Sequence, residues 1–216
     1  MRHLKRQEVP KNWPLPRKGT AYVVKAYSNL NKSVPILVVL RDMLKVARNR
    51  KEVKNAIFEK NILTNERPER DDKNSMQLFD KVSILPSKKY YQIGLSEGGK
   101  FAMEEIKENE THKKIAKIIN KRTLKGKKVQ INLSDGRNFI SDMKCNIGDS
   151  AVVNFKEKKI EKCLPLKEGA NIIVFAGKHT GKKGKILKIN LERKMISMES
   201  NKDKINVLIK QIMVIE

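Results

Sequence analysis

Residues 172–189, IIVFAGKHTGKKGKILKI, decide how this chain is read. An apolar run, Ile172, Ile173, Val174 and Phe175, enters a loop containing Gly177, Gly181 and Gly184. The chain leaves it through Ile186, Leu187 and Ile189, so the pattern is strand, loop, strand. Three glycines within eight residues permit positive φ and close backbone approach. Around them stand Lys178, His179, Thr180, Lys182 and Lys183, donors that a phosphate could meet together with backbone amides. The plainer alternative is a basic turn between two strands of a small barrel. No Gly-Lys-Ser/Thr ending follows, which disfavours a nucleotide-binding P-loop.

Working outward, the 216 residues have room for one to three small domains. Lys and Arg number 48 against 24 Asp and Glu, a formal charge of +24 that would repel itself unless a polyanion neutralised it. Apolar content of 39% excludes a merely disordered basic tail. Aromatic content of 5% argues against base stacking as the main mode of binding, leaving phosphate contacts and shape. Cys145 and Cys163 form no tight cluster and are read as lone cysteines suited to a reducing compartment. His3, His112 and His179 lie far apart, so neither a zinc site nor another metal or cofactor is expected. No stretch approaches the length and apolarity of a membrane span or a secretory leader, and the expected location is the cytosol.

Residues 1–32 lack periodicity but carry Arg2, Lys5, Arg6, Lys11, Arg17, Lys18, Lys25 and Lys32. Pro10, Pro14 and Pro16 prevent a continuous helix. Such an arm is expected to order only against its partner. Trp13, among these prolines, either wedges against RNA or pins the arm to the body of the protein, and the second reading is preferred. From Ser33, read as an N-cap, SVPILVVLRDMLKVA is expected to be an amphipathic helix. Arg41, Lys45 and Arg48 would form a basic stripe opposite the apolar face. Asn49 with Glu52 resembles a capping box opening a second helix, with Val53, Ala56, Ile57 and Lys60 on one face and Arg50 and Lys54 one turn apart. Short strands are expected after Asn61, with a turn at residues 65–67, and again over FDKVSIL.

Residues 86–165 read mainly as β. Tyr90, Tyr91 and Ile93 precede a Glu97-Gly98-Gly99 turn, with Phe101 and Met103 beyond it. ENETHKKIAKIIN is expected to be weakly helical. Val129, Ile131 and Leu133 alternate with polar residues before an Asp135-Gly136 turn and Phe139, and another strand follows Gly148-Asp149. Asp135, Asp142 and Asp149 are seven apart and have no companion base or nucleophile, so they are read as turn residues, not catalytic ones. Beyond Pro165 the strands, including Met195–Glu199 and the alternating Ile205, Val207 and Ile209, suffice for a small barrel.

Three resemblances sharpen these readings. The stretch around Gly177–Ile186 resembles the KOW motif of ribosomal proteins and transcription elongation factors, which implies an SH3-like barrel that binds RNA or protein. Residues 33–85 resemble the small RNA-binding domain named after bacterial ribosomal protein S-four, with Asp80, Val82 and Ile84 at its final turn and strand. Lys60 and Glu66 stand where that domain often has glycine, and Asn61 and Asn65 are expected to supply left-handed φ instead. The whole order is similar to the S-four-e family of small-subunit ribosomal proteins, archaeal and eukaryotic in type. The residues that carry this are HLKR at 3–6, Trp13-Pro14, ILVVLRD ending at Asp42, SDGRNFI at 134–140, and GKHTGKKGKI. A Pro-Gly-Pro-His stretch of that family is replaced here by SNLNKSVP, and the short length resembles archaeal members.

The resemblance implies an α+β protein: a basic arm over 1–32, an S-four-like domain over 33–85, a central β domain over 86–165 and a KOW SH3-like barrel over 166–216. It implies a non-enzymatic cytoplasmic constituent of the ribosome, a monomer within it, whose partners are small-subunit rRNA and neighbouring ribosomal proteins. Membranes, small-molecule substrates and cofactors have no implied part. The expected RNA-contacting residues are Arg2, His3, Lys5, Arg6, Arg17 and Lys18 in the arm. Arg41, Lys45, Arg48, Arg50, Lys54 and Arg67 follow in the S-four-like region, and Lys178, His179, Thr180, Lys182 and Lys183 in the glycine loop. An RNA-modifying enzyme would need a larger catalytic domain and an acid–base group. A polymerase-binding elongation factor would leave the arm and the helices unexplained.

Overall fold

The structure, a computed structural model, describes residues 3–141, 143–200 and 203–215. Arg2 and Asp142 lie outside the described residues. The chain forms two compact units, one up to Ser96 with Lys100–His112, the other Glu97–Gly99 with Lys113 onward. Among the described residues nineteen strands outnumber two short α-helices. The fold is therefore mostly β with few helices.

The first unit begins with a folded arm, not an irregular one. β1 (Leu4–Lys5) pairs antiparallel with β2 (Tyr22–Val23), burying Leu4 and Val23. Trp13 is 2% exposed and its indole N–H donates to the Leu30 carbonyl at 3.0 Å, so it pins the arm to the body, as preferred from the sequence. The Asn12 carbonyl also accepts from the Phe101 amide. These long-range bonds replace the periodic apolar pattern that an arm of this composition lacks.

Ser33 caps no helix. β3 (Ser33–Pro35) pairs with Ser75–Gln77, and Ser33 Oγ donates to the Asn29 carbonyl. Only Ile36–Val38 is α-helical (α1), and Val39–Met43 widens into a π-turn. Lys45 then takes φ 54 and ends it. The physical reason is burial on every side: Ile36, Leu37, Val38, Val39 and Leu40 are all at 0–2% exposure, so no polar face exists for an amphipathic helix to present. The second helix, α2 (Arg50–Phe58), does form, with Val53 and Ile57 buried. Half of its capping box is present, as the Glu52 carboxylate accepts from the Arg48 amide at 2.7 Å and the Asn49 side-chain amide at 3.2 Å.

α2 ends in a Schellman arrangement. The Asn61 amide donates to Ala56 and the Lys60 amide to Ile57, with Lys60 at φ 59. Asn65 (φ 50) and Glu66 (φ 64) then make a two-residue turn between β4 (Ile62–Thr64) and β5 (Arg67–Pro68). Thus Lys60 and Glu66 themselves adopt the left-handed region, and Asn61 does not. Asn65 holds the turn by donating to Asp80 Oδ1 and accepting from the Lys81 amide. After β6 (Ser75–Gln77), β7 (Lys81–Ile84), β8 (Lys89–Leu95) and β9 (Phe101–Glu105) join β4 and β5 in one sheet of order β5-β4-β7-β8-β9. A turn over residues 85–88 joins β7 to β8 within this sheet.

The second unit holds two five-stranded sheets. ENETHKKIAKIIN forms a 3-10 turn at Glu108–Glu110, in the first unit, and then an eleven-residue strand, β10 (Lys113–Thr123), which corrects the helical reading. Ala116 and Ile118, two apart, pack with Ile131, Leu133, Ala151 and Val153, and the β-branched isoleucines suit a pleated surface. β10 pairs through Lys113–Lys117 with β13 (Ser150–Asn154) and from Ile118 onward with β11 (Val129–Leu133), the second pairing being bulged between Ile118 and Asn120. β12 (Asn138–Ile140) and β14 (Lys159–Leu164) complete the order β12-β11-β10-β13-β14.

The aspartates in this sheet are turn residues. Asp135 meets Lys114 at 3.1 Å and the Arg137 amide, which hold its carboxyl below the usual range against the opposing effect of burial. Asp149 accepts from the Asn146 and Leu166 amides. Cys145 and Cys163, read as standing apart, are brought together with Cα atoms 6.0 Å apart and joined as a disulfide. Folding, not spacing, creates that pair, because β14 lies beside the loop leading into β13.

The last sheet is β15 (Asn171–Val174), β16 (Lys183–Asn190), β17 (Met195–Ser200), β18 (Asp203–Leu208) and β19 (Ile212–Val214), in the order β18-β17-β16-β15-β19. Ile172, Val174, Ile186, Ile196, Met198 and Val207 form its core. Val152 and Leu164 of the preceding sheet pack into it.

Candidate nucleic-acid interface

The glycine loop connects β15 to β16, and its main chain is tied inward. The Gly181 amide donates to Val174 at 2.8 Å, the Val174 amide to Lys182 at 3.0 Å, and the Lys182 amide to His179 at 3.2 Å. Thr180 donates through both its amide and its hydroxyl to the Gly177 carbonyl. The expectation that this loop's amides wait for phosphate is therefore corrected at Thr180, Gly181 and Lys182. Gly177 and Gly181, both at φ 93, allow the turn, whereas Gly184 serves strand pairing. A Cβ on Gly184 would stand 2.0 Å from the Glu199 carbonyl oxygen of β17. What this loop can give an anion is charge: Lys178 and Lys183 are exposed, and Lys182 and His179 half-buried.

The floor of the loop is the segment 209–212. The Phe175 amide donates to the Gln211 carbonyl at 2.9 Å, and a Cβ on Gly177 would meet the Gln211 side chain at 2.8 Å. Lys117, only 6% exposed, fixes this floor by donating through Nζ to the carbonyls of Ile209 and Ile212. Burial pushes its ammonium down to about 8, and Phe175 covers it 5.9 Å from the ring centre.

The arm builds a second cationic feature, a basin of about 610 Å³ lined by Lys5, Arg6, Arg17, Lys18, Thr20 and Tyr22 among others. Among the described residues, no acidic one is in its lining. Arg6 organises it: Nε donates to the Thr20 carbonyl at 2.6 Å, Nη1 to Pro16 at 2.7 Å and Nη2 to Thr20 Oγ1 at 2.8 Å. Gly19 (φ 141) lies against that guanidinium, where a Cβ would come within 3.1 Å of Cζ. Lys5, Arg17 and Lys18 are exposed around it, and His3 meets the Tyr22 ring edge-on with centres 4.7 Å apart.

Of the remaining sequence candidates, Arg41, Lys45 and Arg48 do not form a stripe, since the helix ends before Lys45. Arg41 pairs with its neighbour Asp42 at 2.8 Å. Arg50 reaches back to the buried Asp72 at 2.5 Å, an acceptor that raises its already high proton affinity. Lys54 and Arg67 are exposed. Tyr22 went unnoticed in the sequence because a two-residue strand is too short to show alternation.

Residues 87–160 match the model of ribosomal family S4e, and residues 1–28 match the RS4NT (NUC023) domain. The small ribosomal subunit protein eS4 of Methanothermobacter thermautotrophicus is 35% identical over 195 residues, covering 89% of this chain and 81% of the relative. The chain belongs to ribosomal family S4e. The eS4 protein of Nanoarchaeum equitans is also 35% identical, over 87% of this chain and 82% of its own length. In fold, the S4e member is similar to the crystal structure of the 30S ribosomal protein S4e from Thermoplasma acidophilum. The TM-score is 0.74 at 21% identity, covering 85% of this chain and 95% of the other. Members of this family are structural constituents of the ribosome, not enzymes.

Proposed function

We propose that this S4e member is a structural protein of the small ribosomal subunit in the cytoplasm, which binds and stabilises rRNA through phosphate contacts. Family membership carries the reading, and the charge of +24 supports it, because a protein so basic needs a polyanion beside it. Its partners are small-subunit rRNA and neighbouring ribosomal proteins. Within this reading residues 33–85 serve as an S-four-like RNA-binding domain, 86–165 as a central β domain and 166–216 as a KOW-like SH3 barrel. The arm basin and the loop after β15 are two places among the described residues where cations gather on a fixed frame. Phosphate contacts of this kind fix register on the RNA and do not read sequence. The test is sedimentation of the native protein at low and high salt, with sequencing of the RNA in its fraction. Co-migration with small-subunit rRNA, lost only at high salt, is expected. Recovery as an RNA-free monomer at physiological salt overturns the reading.

A further inference from the structure

The arm basin differs from a plain basic patch because one of its walls is aromatic. In the two-stranded ribbon, Lys5 and Tyr22 are register partners, so both side chains leave the same face. Leu4 and Val23 leave the other face and are buried, which fixes the ribbon and turns Tyr22 outward. Tyr22 is 56% exposed although a phenol ring would normally gain by burial, and it lines the basin. The edge-on His3 ring limits how the Tyr22 ring can tilt.

Next to that ring the basin is cationic. Arg6 is spent on the loop: three hydrogen bonds to Pro16 and Thr20 hold it. Gly19 is packed on its guanidinium, so residues 16–20 are fixed relative to β1. That places the charges of Lys5, Arg17 and Lys18 around one cavity with an aromatic wall and, among the described residues, no acidic lining. A ligand that satisfies both walls has a flat π-face and an attached anion. An unstacked nucleotide has both, and an aromatic ring accepts any base because every base has a π-face. A duplex would offer phosphates but leave the ring face unused.

We propose that this basin is a single-nucleotide site, in which one unpaired RNA base stacks on Tyr22 while its phosphate lies among Lys5, Arg17 and Lys18. Arg6 is a positioning residue there and does not touch the ligand. The proposal rests on the rRNA-binding reading and assigns to the arm a contact that aromatic content had argued against for the chain as a whole.

The full-length protein is titrated with a short single-stranded oligoadenylate carrying one 2-aminopurine, whose fluorescence is quenched on stacking. In parallel, filter binding to transcribed small-subunit rRNA is measured across a salt series. Wild type is expected to quench the probe. Tyr22→Ala should lose the quench and about tenfold in affinity for the probe without changing the salt slope. Tyr22→Phe should retain both. Lys5→Gln with Lys18→Gln should keep the quench at saturation but flatten the slope of log K against log salt by about 1.4, the value for two single-strand phosphate contacts. Because Tyr22 is exposed and the ribbon pairs through its backbone, Tyr22→Ala should keep the wild-type circular dichroism. If wild type binds rRNA but does not quench the probe, or if Tyr22→Ala quenches as wild type does, the nucleotide site is overturned and the rRNA reading stands. If wild type binds neither RNA, both fall.

Discussion

The two cationic loops of this protein are held in opposite ways. Residues 16–20 in the arm are fixed by one side chain, Arg6, whose guanidinium bonds to Pro16 and twice to Thr20. The loop after β15 is fixed by main chain, with the Gly181, Val174 and Lys182 amides bonded within it. A side-chain frame can be removed by one substitution while the fold around it survives. A main-chain frame can be disturbed only by disturbing the sheet that it closes. Function can thus be separated from stability at the first loop by changing the frame, and at the second only by changing the charges.

The largest expected effect tests the main-chain frame. Gly184→Ala would put a methyl group 2.0 Å from the Glu199 carbonyl oxygen, which is backbone and cannot rotate aside. β16 and β17 would have to separate, and we expect at least about 3 kcal/mol of destabilisation, read by urea unfolding. Gly19→Ala in the arm should cost less. Its Cβ meets the Arg6 guanidinium, a side chain whose exposed hydrogen bonds can shift where a backbone carbonyl cannot, so the main cost is positive-φ strain on the order of 1 kcal/mol. Equal losses for the two variants would break the comparison.

The floor beneath the second loop should show in the pH dependence. Lys117 has its folded value lowered from 10.5 to about 8 by burial. Between those values the unfolded chain keeps a proton that the native state has released, so stability rises with pH across that window. The neutral amine still has two N–H donors for the Ile209 and Ile212 carbonyls. Lys117→Met removes both donors and the titration. The stability gap between wild type and variant should therefore widen by on the order of 3 kcal/mol from pH 7 to pH 10.5. A gap that stays constant across this range would mean that Lys117 titrates as an exposed lysine does.

Arg6→Gln tests the side-chain frame. The lost bonds are exposed, so global stability should fall by no more than about 1 kcal/mol. Amide exchange at residues 17–20 should accelerate well beyond that in the rest of the first unit. Unchanged exchange there would show that the loop holds itself.

What the sequence revealed and what it hid follow the same division. Turns with local chemistry were legible: the Asp135-Gly136 hairpin, the Glu97–Gly99 turn and Glu52 reaching back at the start of α2 all depend on residues a few positions apart. Trp13 was legible because a lone indole among prolines gains most by burial. The run Ile36–Leu40 was not, since burial on all sides erases the polar face that gives helical periodicity its meaning. β10 was hidden by its lysines: Lys114 and Lys117 are buried with partners supplied from Asp135 and from segment 209–212, far away in sequence. Likewise, Arg50 reads as a free cation until folding brings Asp72 to it. Basic residues are legible in number, but which of them face the solvent is decided by tertiary partners.

The smallest effect on stability should accompany a clear effect on binding. Lys178 and Lys182 sit on the main-chain frame, and what holds that frame is the amides and carbonyls of the loop, which side-chain substitution leaves in place. Replacing both with Gln should then change stability by less than about 0.5 kcal/mol, as for surface positions away from the core. If each meets a phosphate, the slope of log K against log salt for small-subunit rRNA should flatten by between about 1.4 and about 1.8, the single-strand and duplex values for two contacts. Because the Thr180, Gly181 and Lys182 amides are already bonded within the loop, they cannot replace the lost ammonium groups. Affinity at low salt should therefore fall along with the slope. The discriminating measurement is a filter-binding salt series on the double variant beside Arg6→Gln. Lost affinity with an unchanged slope is expected of a variant whose frame has loosened, and a flattened slope of one whose charges are gone. A double variant with wild-type slope and affinity would make the loop after β15 a structural turn of its sheet and leave the arm basin as the RNA-binding element of the two.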